Sequence, residues 1–244
     1  MVEKDYQVVI LVGGLGQRFY PVTETIPKPM VEINGRPFLE IKLESIKRYG
    51  LKNIVLCVGH LGHMIEEYFG TGEKFGLNIK YAYEKELLGT AGAIKNAEEF
   101  IEDDFIAMNG DTYIPVDFDE LIKFHESHSH PMTMVVANAT NPKEQELVEI
   151  DEGIIRKIYK RNTIEHDNHI ENNLKPLING GVYIIRKNLL NEIPKGKKVS
   201  IEHEIFPKLE GKMGGFTHTG YIKDLTNQNF WDEIKDDFNK GITR

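Results

Sequence analysis

The apolar run Val8–Val12 passes directly into Gly13-Gly14-Leu15-Gly16-Gln17-Arg18 and then into a stretch punctuated by Pro21, Pro27 and Pro29. A short β-branched run stopped by glycines predicts a buried strand that ends in a loop. Glycines, lacking Cβ, let backbone N–H groups approach the oxygens of an anion closely. Arg18 adds a planar fork of donors that matches a phosphate group, and Lys28 adds a point charge further along. The spacing is not that of a Walker loop, because no Gly-Lys-Ser/Thr follows. Nor is it a dinucleotide fingerprint, since the prolines replace the helix that such a turn should open. The residues themselves therefore support a phosphate cradle at the end of the first strand.

Downstream, the periodicity alternates. Pro37–Tyr49 places Phe38, Ile41, Leu43 and Ile46 on one broad helical face, with Gly50 as a stop. Asn53–Val58 reads as a strand, Met64–Phe69 as a helix and Ile79–Tyr83 as a strand. Ala91–Ile101 reads as a helix, and Phe105–Met108 as a strand running into Asn109-Gly110-Asp111. Such alternation predicts an α/β, Rossmann-like fold: a mostly parallel central sheet flanked by helices, with ligands at the carboxyl ends of its strands. The glycine loop and Asp111 both fall at that edge. In the second half, Met132–Ala137, Val148–Ile150, Ile154–Tyr159 and Gly181–Ile185 read as strands, some of them antiparallel. The polar stretch Arg161–Asn173 reads as a mobile surface loop. With no repeat or linker, the 244 residues read as one domain.

Composition narrows the function. A formal net charge of −8 argues against a general nucleic-acid binder. The single cysteine, Cys57, lies in an apolar run and reads as a core residue, which fits a reducing compartment. Met1–Gln7 is polar and the apolar run after it is too short for a leader or a membrane span, so a cytoplasmic protein is expected. His125, His128 and His130, with Glu126, read as a solvated loop rather than a metal site. His60 and His63 read as packing near the sheet edge. Phe230, Trp231 and Phe238 predict an amphipathic C-terminal helix packed on the core or on a partner subunit, which leaves a homo-oligomer open.

The segment Gly13–Thr23 followed by Ile26-Pro27-Lys28-Pro29-Met30-Val31 resembles the signature of the sugar-1-phosphate nucleotidylyltransferases, G-G-x-G-T-R-L-x-P-x-T and then P-K-P. The likeness continues through Leu88-Gly89-Thr90-Ala91-Gly92-Ala93, Asn109-Gly110-Asp111, Asn179-Gly180-Gly181-Val182-Tyr183 and Ser200–Pro207, nearly the whole chain. Arg36-Pro37-Phe38-Leu39-Glu40 and the compact length resemble the D-glycero-D-manno-heptose 1-phosphate guanylyltransferases in particular.

The resemblance implies a nucleotide-binding half, residues 1–112, and a sugar-phosphate-binding half, residues 113–244, with a smaller antiparallel sugar-binding part beside the main parallel sheet. It implies attack by a sugar 1-phosphate oxygen on the α-phosphorus of a nucleoside triphosphate, with release of pyrophosphate. The nucleophile is already an anion, so positioning and charge neutralisation should carry the reaction. Arg18, Lys28 and Asp111 are then the catalytic residues. Leu11, Gly13, Gly14, Gly16, Glu84, Gly89, Thr90 and Asn109 are implied on the nucleotide, and Gly110, Lys160, Asn179, Gly180 and Glu202 on the sugar phosphate. Asp111 would bind Mg²⁺. The family's second metal ligand, an Asp, is replaced by His218 in Phe216-Thr217-His218-Thr219-Gly220. Imidazole suits Mn²⁺ or another softer ion better than Mg²⁺; the alternatives are a metal held by Asp111 and phosphates alone, weak activity, or nearby Asp224 as the ligand. Glu84 is acceptor-only and suits the N1–H and N2–H₂ donors of guanine, which favours GTP. Thymidylyl, uridylyl or cytidylyl transfer remains the alternative, as does a non-catalytic regulatory relative.

Overall fold

Alternation along the first strand decides which way the chain must be covered. Val8 and Ile10 point into one apolar cluster with Leu39, Leu43, Ile46, Ile65 and Phe69, whereas Val9 points into another with Ala91, Ile94 and Phe206. Both faces of the strand are therefore buried, as a parallel sheet with helices on each side requires. The computed structural model describes residues 6–172, 175–225 and 228–241.

Numbered along the chain, the strands of the main sheet are β1 (Gln7–Leu11), β2 (Asn53–Val58), β3 (Asn78–Tyr83), β4 (Phe105–Asn109), β5 (Met132–Asn138), β6 (Leu147–Asp151), β7 (Ile154–Tyr159), β8 (Leu177–Ile185) and β9 (Gly214–His218). Their order is β3-β2-β1-β4-β8-β5-β9-β7-β6, with β8 also pairing with β6. The first four neighbours run parallel, Val9 lying opposite Val55 on one side and Ala107 on the other. Beyond β4 the sheet is mixed: β8 runs antiparallel to both β4 and β5, while β9 runs parallel to β5. The nine strands form one continuous sheet, so the expected parallel and antiparallel parts belong to the same sheet.

Helices α1 (Phe38–Lys47) and α2 (Gly62–Phe69) cover one face, and α3 (Gly89–Asn96) covers the other. The helix expected over Ala91–Ile101 starts two residues earlier and breaks at Ala97, where a 3-10 turn, Glu98–Phe100, takes over. Helix α4 (Phe118–Glu126) is capped by Asp117, whose side chain accepts from the Glu120 amide at 3.0 Å. A third cluster joins Phe19, Val31, Ile33, Phe38, Tyr113, Leu225 and Ile234, so the loop after β1 is pinned by the end of the chain. Two short strand pairs lie outside the main sheet, one of them joining Thr112–Tyr113 to Lys223–Asp224.

The polar stretch expected to be a mobile loop contains helix α5 (Ile164–Asn172). The Thr163 hydroxyl accepts the His166 amide at 3.2 Å, and the buried His166 ring donates from Nε2 to the Gln145 carbonyl at 2.8 Å. Capping, the buried His166, the Lys157–Glu165 ion pair and the stacking of His169 on Tyr159 hold a helix whose sequence has almost no apolar face; Asn173 lies outside the described residues. Of the three histidines expected to be solvated, His125 is buried, while His128 and His130 are half-buried. His125 sits on α4 with no exposed surface, its Nδ1 lies 2.7 Å from Thr133 Oγ1, and that hydroxyl lies 3.1 Å from His128 Nε2. Gly214 leaves room for the His128 ring, since a Cβ there would stand 2.4 Å from Nε2. Among the described residues no group of three or more His, Cys, Asp and Glu could hold a metal ion.

Helix α6 (Phe206–Leu209) follows a π turn, Ile201–Ile205, and α7 (Gln228–Lys240) closes the chain. Helix α7 packs on the core as expected: the Trp231 indole donates to the Glu32 carbonyl at 3.0 Å, and Phe238 packs edge-on against Tyr113. The Phe230 side chain lies outside the described residues. Cys57 is fully buried. Among the described residues no helix is long and apolar enough to cross a membrane.

Candidate active site

The carboxyl ends of β1 and β4, the glycine loop and the start of α3 enclose a cleft of about 710 Å³. Leu11, Gly13, Gly14 and Gly16 line it from the loop, Glu84, Gly89 and Thr90 from the α3 side, and Asn109, Gly110 and Asp111 from β4. These are ten of the residues expected to touch the nucleotide, metal or sugar phosphate, gathered from three separate segments.

Each segment is held there by a close approach. A Cβ on Gly13 would stand 2.8 Å from Glu84 Oε1 and 3.0 Å from the Gly59 amide nitrogen, so the loop can lie against Glu84 because residue 13 lacks a side chain. The other Glu84 oxygen accepts the Leu88 amide at 2.9 Å. Burial raises the Glu84 pKa and that amide opposes the rise. One carboxylate oxygen is thus spent on holding the turn into α3, and the other faces the loop. Gly89, at φ +70°, comes so near the Val199 carbonyl that a Cβ would stand 2.7 Å from it. The Val199 carbonyl in turn accepts the Ala91 amide at 3.0 Å. That pairing carries Lys198 into the cleft wall.

Lys28 follows Pro27 in a 3-10 turn and is 9% exposed. Its ammonium donates to Asp111 Oδ2 at 2.6 Å. Beside Asp111, the Thr112 hydroxyl donates to Asp224 Oδ1 at 2.6 Å, and the Leu225 amide donates to the Asp111 carbonyl at 2.6 Å. The short strand pair therefore sets two carboxylates on either side of Thr112. Asp224 keeps solvent access by area, yet protein atoms crowd its carboxylate. This loss of hydration raises its pKa first, and the like charge of Asp111 raises it further. His218 is differently placed. It is half-buried on β9, its Nε2 donates to the Tyr221 carbonyl at 3.2 Å, and burial lowers its pKa. Asp224 thus lies beside Asp111, whereas His218 is tied to its own turn.

The residues expected on the sugar phosphate divide. Glu202 Oε2 accepts from the Thr90 hydroxyl at 2.8 Å and from the Ser200 hydroxyl at 2.7 Å, so it stands behind Thr90 and does not itself line the cleft. The Thr90 oxygen also accepts the Ile201 amide at 2.8 Å. Asn179 donates to the buried Tyr183 hydroxyl at 2.7 Å and accepts the Gly181 amide at 2.9 Å, which fixes it and the adjacent buried Gly180 on β8. Lys160 is exposed and does not line the cleft. Lys198, which the sequence reading passed over, does; it sits in a run of like charges, Lys195-Gly196-Lys197-Lys198, that looks like ordinary solvated surface. The backbone of Arg18 forms part of the 3-10 turn Gln17–Phe19, and its side chain lies outside the described residues.

Comparison with known proteins identifies the family. The model of the family described as nucleotidyl transferase matches residues 7–217. The D-glycero-alpha-D-manno-heptose 1-phosphate guanylyltransferase of Campylobacter jejuni subsp. jejuni serotype O:2 is 34% identical over 214 residues, 84% of this chain and 89% of that protein. The mannose-1-phosphate guanylyltransferase of Mycobacterium tuberculosis is 31% identical over 92% of this chain, which spans 62% of that longer protein. A solved structure of HddC from Yersinia pseudotuberculosis, complexed with GMP-PN, is similar at a TM-score of 0.80 and 30% identity, covering 96% of this chain and 99% of that one. With the family match running from β1 to β9, this chain belongs to the nucleotidyl transferase family.

Proposed function

We propose that this chain transfers a nucleotidyl group from a nucleoside triphosphate to a sugar 1-phosphate, with GTP and D-glycero-D-manno-heptose 1-phosphate as the favoured pair. A sugar phosphate oxygen forms a bond to the α-phosphorus, and the bond from that phosphorus to the bridging oxygen breaks, releasing pyrophosphate and leaving a nucleoside diphosphate sugar. The observation that carries the reading is the Lys28–Asp111 pair at the mouth of a glycine-lined cleft. A cation beside a carboxylate, under backbone that can approach phosphates, is what a reaction between two anions needs.

In this reading the nucleotide half of the chain is residues 1–112. Gly13, Gly14 and Gly16 lie along the triphosphate, Arg18 and Lys28 offset its charge, and Gly89 and Thr90 approach the base and ribose from α3. The Glu84 carboxylate meets the N–H donors of guanine. The support is its placement: one oxygen is committed to the Leu88 amide and the other faces the loop at Gly13. Residues 113–244 supply the acceptor side, with Glu202, Asn179 and Gly180 approaching sugar hydroxyls and Gly110 beneath them. Lys198 takes the place expected for Lys160 as the cation on that side.

The donor set fits a hard divalent ion. Asp111 and Asp224 offer carboxylate oxygens joined through Thr112, the ligands Mg²⁺ prefers. A bound Mg²⁺ would neutralise charge on the phosphates. His218, with its Nε2 engaged by the Tyr221 carbonyl, is placed for support of the 218–221 turn.

The test is pyrophosphate release measured with each of the four nucleotides against heptose, mannose and glucose 1-phosphates in Mg²⁺. The reading expects turnover that is fastest with GTP and the heptose phosphate. Equal rates with all nucleotides would remove the Glu84 assignment.

A further inference from the structure

The buried face of α1 carries one residue that does not belong in an apolar cluster. Lys42 shares that face with Phe38, Leu39, Leu43 and Ile46, and is 2% exposed. Burying an ammonium is costly unless it is paired. Its Nζ donates to the Thr112 carbonyl at 2.6 Å, which places the charge directly behind the residue that separates Asp111 from Asp224. Burial lowers the Lys42 pKa to about 8, and the charges of Asp111 and Asp224 oppose the fall, so the ammonium remains mostly charged at neutral pH. Lys42 does not line the cleft and cannot follow a substrate.

Charge accounting at this spot is balanced. Two carboxylates, Asp111 and Asp224, face two ammonium groups, Lys28 at the mouth and Lys42 behind. Lys28 lines the cleft, where an incoming phosphate can compete with Asp111 for its ammonium, whereas Lys42 is fixed in the core. We propose that Lys42 is a positioning residue whose buried charge keeps the Asp111–Asp224 pair from holding a divalent cation by itself, so that the ion is retained only together with the triphosphate. The inference rests on the reading of Asp111 and Asp224 as the cation's ligands. Two effects compete in a neutral variant. Losing the ammonium strengthens cation binding, because a unit charge several ångströms away at an effective dielectric near 20 shifts the affinity of a divalent ion by about tenfold or more. Losing the hydrogen bond to the Thr112 carbonyl loosens the turn and weakens binding, but other donors or water can satisfy a single carbonyl. The charge effect dominates.

The experiment is titration of the full chain with Mn²⁺ alone, followed by electron paramagnetic resonance, with and without a non-hydrolysable GTP analogue. The parent protein should bind Mn²⁺ weakly without nucleotide and about a hundredfold more tightly with it. Lys42→Met and Lys42→Gln should each bind nucleotide-free Mn²⁺ about tenfold more tightly than the parent. The nucleotide should then tighten Mn²⁺ binding by only about tenfold in these variants. The glutamine keeps a donor in reach of the core should the methionine variant fail to fold. A purely structural lysine would leave Mn²⁺ affinity unchanged or lower it, and either result in a folded variant overturns the inference. Asp111→Asn and Asp224→Asn separate the two levels. If these do not weaken Mn²⁺ binding in the presence of the analogue, the assignment of the ligands fails and the inference with it. If they do while the Lys42 variants match the parent, the inference alone fails.

Discussion

Lys28 and Asp111, separated by 83 positions in sequence, meet at 2.6 Å across the mouth of the cleft. The pair joins the loop after β1 to the end of β4, so phosphate-binding and cation-binding functions share one contact. Arriving phosphates must compete with Asp111 for the lysine. Lys28→Met should therefore lower kcat/KM for the triphosphate by about a hundredfold or more, the loss typical of an oriented charge aimed at a reacting group. Steady-state pyrophosphate release reads it, and an unchanged melting temperature would show that the loss is not one of folding.

The two alternatives for the second carboxylate position separate cleanly by mutation. Asp224→Asn should depress kcat by about a hundredfold and raise the Mg²⁺ concentration needed for half-maximal rate. His218→Asn, which still offers a donor to the Tyr221 carbonyl, should stay within about threefold of the parent. Metal titration of the rate in both variants decides; the reverse pattern would return the role to His218.

Much of this arrangement can be read from the chain itself. Asn53–Val58 and Ile154–Tyr159 form strands with the bounds that their apolar, β-branched runs indicate, and the loop lies where glycines stop Val8–Val12. Three features resisted for physical reasons. Helix α5 owes its stability to Thr163 and to a histidine that reaches Gln145, a contact between distant segments in a stretch with no apolar period. His125 and His128 are polar residues satisfied by Thr133 inside the fold, and polarity alone reads as exposure. Lys198 reaches the cleft because its neighbour Val199 pairs through the backbone with Leu88 and Ala91, which no local pattern reveals.

Gly110 tests the packing that brings these segments together. A Cβ there would stand 2.5 Å from the Leu11 carbonyl oxygen and 2.7 Å from Val12 Cγ1. Both neighbours are held in the sheet or against it, so Gly110→Ala should cost about 1–3 kcal/mol. Urea denaturation measures this, and a change in midpoint below the error of the method would mean that β1 and β4 give way more easily than their pairing suggests.

Stability should also fall in mild acid. Burial, the neighbouring His130 and the Arg186 charge hold the His128 pKa below its ordinary value, and burial does the same to His169 and His218. The unfolded chain therefore takes up protons that the folded one refuses. Their contribution is complete above about pH 6.5 and is lost as pH falls through that value towards the folded ones. The melting temperature should be a few degrees lower at pH 5 than at pH 7.5. His128→Gln should flatten that slope, whatever it does to the melting temperature at neutral pH.

Glu84 carries the choice of base, because an acceptor-only side chain suits guanine's adjacent donors, while an amide suits the mixed faces of uracil and thymine. Glu84→Gln should reduce kcat/KM for GTP by about tenfold or more and narrow its advantage over UTP and dTTP.

The central claim is nucleotidylyl transfer in this cleft. Its most direct measurement is the formation of a guanosine diphosphate sugar from GTP and D-glycero-D-manno-heptose 1-phosphate with Mg²⁺, followed by phosphorus NMR in the parent protein and in Asp111→Asn. The account predicts a new diphosphate product and one equivalent of pyrophosphate with the parent, and a rate lower by about a hundredfold or more in the variant. Absence of any nucleoside diphosphate sugar from the parent, with this or any other nucleotide and sugar 1-phosphate, would contradict it.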